Sequence, residues 1–114
     1  MKFRAERDAL VEAMATAARA AATRGGALPA LSGIRMEATG ERLQLAGSDL
    51  DLTVQVELPV VVQEPGVCVL PARLATDIVR ALEPGAVSLA VQGSEAVIAS
   101  GRSQFAVRLL PAEE

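Results

Sequence analysis

The sequence contains no histidine, no tryptophan and no tyrosine, and its 114 residues include one cysteine and two phenylalanines. Without histidine there is no imidazole to serve as a general base, complete a catalytic triad or ligate a metal. A lone thiol cannot close an intrachain disulfide. Cys68 stands between valines in Gly66-Val67-Cys68-Val69-Leu70 and reads as a small buried hydrophobe, not a nucleophile. The core must be built from valine, leucine, isoleucine and alanine, and with 51% apolar residues there are enough of them for one domain. Every apolar run is too short to span a bilayer. The opening Met1-Lys2-Phe3-Arg4-Ala5-Glu6 turns charged at once, unlike a signal peptide. A cytoplasmic location without membrane contact is expected. The net charge of −3 argues against a domain coated in basic side chains, but leaves room for a local cationic stripe.

What is present reads as one pattern used twice. Met1–Ala5 has the look of a strand. Asp8–Ala22 follows as a helix, with Leu10, Met14, Ala17 and Ala21 on one face, flanked by Val11 and Ala18. A glycine and proline loop, Thr23 to Pro29, leads to three strand-like runs: Ser32–Ala38, Arg42–Ala46 and Leu50–Leu58. The second half repeats the order. Val67–Leu70 precedes a helix over Pro71–Leu82, stopped by Glu83-Pro84-Gly85, and the runs Val87–Val91, Ala96–Ala99 and Gln104–Leu110 follow. Gly40 matches Gly93, and Gly47 matches Gly101. A duplicated strand-helix-three-strand unit has one helix for each sheet, so two units pack around a shared core. The expected fold is α+β, with two adjacent helices packed against mostly antiparallel sheets. Seven alanines between Ala13 and Ala22 suit two helices lying close together.

The second helix carries the most telling charges. At about 100° per residue, Arg73, Thr76, Asp77 and Arg80 share one face, and Leu74, Ala75, Ile78, Val79 and Leu82 fill the other. Arg80 lies in the last turn, where the helix dipole favours a cation. Arg73 lies in the first turn, where the dipole opposes one. It is either a solvated side chain or a cation held for an anionic partner. Arg19 shares the first helix's polar face with Asp8, Glu12 and Thr16, an order that ordinary dipole matching explains. Arg24, in the loop beyond, is freer to reach a phosphate. The C-terminal strand offers Phe105 and Val107 on one face, with Arg102 at its start. As a sheet edge it would invite another chain; as an interior strand it would not.

Other candidate chemistry is thin. Asp49 and Asp51 are the only close carboxylate pair away from the helices and the tail, and they read as a turn aspartate followed by an outward-facing one, with no third metal ligand. Gly25-Gly26 belongs to no phosphate-binding fingerprint. Ser100 and Ser103 have no base to activate them. No residue supports catalysis, and no cofactor is implied.

Taken in order, these segments resemble the first domain of the bacterial β sliding clamp, the processivity subunit of DNA polymerase III. The resemblance runs from end to end. It includes Met1-Lys2-Phe3 with Arg7 and Leu10, the arginine loop into Leu28-Pro29-Ala30-Leu31, and Gly47-Ser48-Asp49-Leu50-Asp51. It continues through Val69-Leu70-Pro71-Ala72-Arg73, Asp77-Ile78, Arg80, and Leu82 before Pro84-Gly85. It closes with Ser100-Gly101-Arg102-Ser103-Gln104-Phe105 and Leu110-Pro111-Ala112. The resemblance implies that residues 1–114 are sliding-clamp domain 1, a fragment of a three-domain protomer. Two protomers join head to tail as a homodimer ring around double-stranded DNA, with helices lining the hole. It implies a DNA face at Arg24, Arg73 and Arg80, with Arg19 beside them. The ring contact would use Leu74, Ile78, Arg102, Gln104, Phe105 and Val107. Leu74 and Gln104 stand where relatives often carry basic residues, so apolar contact must do more at this edge. The clamp loader and DNA polymerase III would bind through later domains absent from this chain. The competing expectation is a protein-interaction module that pairs through its C-terminal strand edge without touching DNA. A small hydrolase or transferase fails for want of a base and a supported nucleophile.

Overall fold

The computed structural model describes residues 1–20, 33–48 and 52–111. Within them the elements run β1 (Lys2–Glu6), α1 (Arg7–Ala18), β2 (Gly33–Thr39), β3 (Arg42–Ser48), β4 (Thr53–Pro59), β5 (Val61–Glu64), β6 (Gly66–Pro71), α2 (Ala72–Ala81), β7 (Ala86–Gln92), β8 (Glu95–Ser100) and β9 (Ser103–Arg108). The duplicated unit is present: β1-α1-β2-β3-β4 and β6-α2-β7-β8-β9. β5 is an addition between them that the sequence reading did not anticipate. The strand reading over Leu50–Leu58 begins in residues 49–51, outside the described residues, and the strand itself starts at Thr53.

The units exchange their first strands. One sheet has the order β5-β1-β7-β8-β9 and the other β4-β3-β2-β6. β1 of the first unit pairs with β7 of the second, from Lys2↔Ala90 to Glu6↔Ala86. β6 of the second pairs with β2 of the first, from Gly33↔Pro71 to Ala38↔Gly66. Every pairing among the described residues is antiparallel. Period-two alternation explains why these segments form half-buried strands: Ile34, Met36 and Ala38 turn inward on β2, and Leu43 and Leu45 on β3, while the residues between them do not. With Phe3, Leu89 and Ile98 from the other sheet and Leu10, Met14, Ala75 and Val79 from the helices, they form one continuous core.

Glycine has a separate reason at each position. Gly40 and Gly93 open two-residue hairpins at φ 62° and 64°, a conformation that costs a side chain about 1–2 kcal/mol. That match between the units holds. The match of Gly47 with Gly101 does not extend to structure. Gly101, at φ 55°, turns β8 into β9, whereas Gly47 lies inside β3. A Cβ at Gly47 would overlap the main-chain carbonyl oxygen of Ala17, so the missing side chain lets α1 lie directly on the sheet.

Both helices differ from expectation in detail. α1 begins one residue earlier than predicted, capped by the Glu6 carboxylate, which accepts from the Ala9 N–H at 2.9 Å. It ends at Ala18, and residues 21–22 of the predicted helix fall outside the described residues. On α2 the inward face is Ala72, Ala75, Thr76 and Val79, continued by Leu82. Thr76, predicted on the polar stripe, is only 5% exposed. Its hydroxyl donates to the Ala72 carbonyl at 2.6 Å, which satisfies the polar atom without water. Leu74, placed on the apolar face and in the ring contact, is 53% exposed.

Candidate nucleic-acid interface and subunit edge

The corrected orientation divides the outer surface of α2 into two flanks. Arg73 and Arg80, seven residues apart, lie within about 20° of each other around the axis, and Leu74 and Ile78 lie on the opposite flank within about 40°. Asp77 falls between them. Both arginines are exposed, as is Arg19 just beyond the end of α1. The start of α1 contacts the end of α2: the Arg7 main-chain N–H donates to Gly85 O at 2.8 Å, and its guanidinium Nη1 donates to Arg80 O at 2.8 Å. The start of α1 therefore lies against the end of α2 that carries Arg80. Arg24 lies outside the described residues.

The charges differ in how they are held. Arg80 faces Asp77 at 3.2 Å, but both groups are well exposed, so the pair contributes less than about 1 kcal/mol and yields readily to a competing anion. Arg73 has no ion pair or side-chain hydrogen bond among the described residues, and the first turn of α2 contains no acid. The duplication sharpens this contrast. Asp8 occupies the equivalent second position of α1, where it matches the dipole; α2 has Arg73 there instead.

The apolar candidates fall into two groups. Leu74 is exposed and Ile78 half-buried on the flank of α2. β9 is an outer strand of the five-stranded sheet, with β5 at the other side, which resolves the interior-or-edge alternative in favour of the edge. Phe105, opposite Ile98, is 40% exposed, and Arg102 and Gln104 are exposed beside it. Val107 requires a correction. It shares the inward face with Phe105 but lies deeper, opposite Ala96, and is 2% exposed. Its side chain belongs to the core and it is paired to Ala96 of β8, so it is not part of an exposed contact surface. The sequence reading missed the counterpart edge: β4, the last strand of the first unit, is likewise an outer strand of its sheet, with β6 at the other side. It also missed Arg7, whose role depends on the distant end of α2.

Other candidates have ordinary structural explanations. The Cys68 thiol is pushed up to about 11 by burial, an effect that the nearby N-terminal ammonium opposes, so almost none of it is thiolate at neutral pH. The Ser100 hydroxyl is buried and donates to Glu83 O at 3.4 Å, a tie between turns. No group of three metal-ligating side chains occurs among the described residues. Asp49 and Asp51, like Gly25-Gly26, lie outside them. No helix among the described residues is long and apolar enough to cross a membrane.

Comparison with known proteins adds an independent line. The family model described as DNA polymerase III beta subunit, N-terminal domain, matches residues 1–114. A beta sliding clamp of Streptomyces coelicolor is 37% identical over the whole chain, which spans 30% of that protein. Among solved structures, a DNA polymerase sliding clamp from Bacillus subtilis superposes with a TM-score of 0.93 at 31% identity, over 98% of this chain and 32% of that one. A Caulobacter crescentus beta sliding clamp gives a TM-score of 0.92 at 36% identity, over 98% and 30%.

Proposed function

The chain belongs to the DNA polymerase III beta subunit N-terminal domain family, and on that premise we propose that it acts as the first domain of a ring that encircles duplex DNA and tethers the replicative polymerase. The observation that carries the DNA face is Arg73: an exposed cation in the first turn of a helix, against the dipole, with no partner among the described residues and Arg80 on the same flank. Arg19 and Arg24 complete a set that contacts phosphates. A sliding ring must not prefer one register, so contacts to phosphate oxygens suit it and base readout does not. A few arginines suffice, because topology rather than affinity prevents escape. The role is non-catalytic and cytoplasmic. The clamp loader and DNA polymerase III dock on further domains of the full-length protein.

A link in a ring needs two different contact surfaces, and head-to-tail joining is the heterologous arrangement that closes by rotation. β9, with Phe105, Gln104 and Arg102, together with Leu74 and Ile78 on α2, serves the contact between protomers. β4 serves the neighbouring domain. An edge strand used in this way gains main-chain hydrogen bonds and at the same time hides an aggregation-prone edge.

The test is made in the full-length protein. Arg24→Ala, Arg73→Ala and Arg80→Ala together should shorten retention on closed circular DNA. They should also flatten its salt dependence by about 0.9 in log–log slope for each phosphate contact removed. Unchanged retention and slope would refute the DNA face.

A further inference from the structure

We propose that Arg7 is a positioning residue for the DNA-facing surface, acting through Arg80 by gripping the end of α2. The proposal rests on the DNA-face reading above. α2 has ten residues, short enough that its last turn is prone to fray, and that turn carries Arg80. The last four carbonyls of a helix lack intrahelical donors. One of these, Arg80 O, is taken by Arg7 Nη1 at 2.8 Å, from a residue 73 positions away in the chain. The guanidinium also lies at the negative end of the α2 dipole, where a cation is favoured.

The anchor itself is fixed. The Arg7 side chain is 19% exposed, and its main-chain N–H bonds to Gly85 O just past α2. Its Nε faces Asp8 Oδ1 at 2.9 Å, close enough for ion pairing but out of line for a hydrogen bond. This cation sits in the first turn of α1, against that helix's own dipole. The arrangement is explained by what it does at α2, where the Arg7 side chain joins the two helix ends. By holding the Arg80 carbonyl, it fixes where the Arg80 side chain leaves the surface relative to α1.

The experiment is a double-mutant cycle in the full-length protein, with retention on circular DNA and local amide hydrogen exchange as readouts. Arg7→Met should shorten retention by the same factor as Arg80→Ala and lower the salt slope by about 0.9. The double variant should be no worse than Arg80→Ala alone, because the two residues supply one contact. Exchange should accelerate at Val79 to Leu82 while the amides of β2 and β3 stay protected. Arg7→Lys, which keeps a cationic donor, should recover most of the retention. If Arg7→Met does not fold, Arg7→Gln takes its place, and non-additivity is required of it too. Additive losses, or normal retention with Arg80→Ala defective, would overturn the positioning role alone. Normal retention in Arg80→Ala would overturn the assignment of Arg80 to the DNA face and this proposal with it.

Discussion

Replacing Gly47 with alanine is the sharpest test of how the helices are seated. In an ordinary strand the change would help: alanine reduces the freedom of the unfolded chain and stabilises by about 0.4–1 kcal/mol. Here the new Cβ would overlap the Ala17 carbonyl oxygen, which belongs to helix backbone and cannot rotate aside. α1 must lift, and Leu10, Ala13, Met14 and Ala17 lose part of their packing. Overpacking of this kind costs about 1–3 kcal/mol. Subtracting the unfolded-state gain leaves a net loss of about 1–2 kcal/mol, and at this chain length that lowers Tm by about 4–8 °C. Circular dichroism melts of parent and Gly47→Ala measure it. Gly40→Ala is the control, since it meets open space and loses stability only through its positive φ. Faster amide exchange along α1 should accompany the first variant and not the second. A Gly47→Ala protein melting at or above the parent would refute the close approach of helix and sheet.

Three further outcomes follow from the same geometry. Leu74→Ala should change stability by no more than about 0.5 kcal/mol, whereas the same substitution at buried Leu82 should cost about 2–5 kcal/mol in denaturant melts; equal losses would contradict the orientation of α2. The Cys68 thiol keeps its proton to about pH 11 when folded but loses it near the ordinary value of 9.0 when unfolded. Between those values the unfolded state binds fewer protons, so this contribution to stability is complete below pH 9 and declines as pH rises towards 11. Subtracting the stability profile of Cys68→Ala from that of the parent should isolate the decline, and identical pH profiles would exclude it. Phe105→Asp should leave the fold intact, because the ring is partly exposed at a sheet edge, yet reduce dimerisation of the full-length protein in light scattering. A full-length parent that is already monomeric would remove the edge contact.

Much of the fold was legible in advance because duplication and periodicity are local properties. Gly40 and Gly93 mark equivalent hairpins, and leucine alternation on β3 marks a buried face whatever the strand pairs with. The candidate cations Arg19, Arg73 and Arg80 were legible as charges on helix surfaces and are exposed as expected. The errors arose where a side chain's surroundings overrule its polarity. Thr76 turned inward because its own helix accepts its proton. Phe105 and Val107 share a face, yet differ in burial because the edge of the sheet is less covered at one end.

Sequence alone therefore determined that the chain is a repeated strand-helix-three-strand unit, with an aliphatic core and none of the groups that histidine-dependent catalysis needs. It could do so because those properties reside in residue type and short-range spacing. Tertiary structure alone decided that the units trade first strands, that β5 joins the sheet opposite to β4, and that Arg7 reaches the end of a helix far along the chain. Hydrophobic period specifies that a face is buried, not which partner covers it, and a hydrogen bond spanning 73 residues leaves no mark on the spacing of either end.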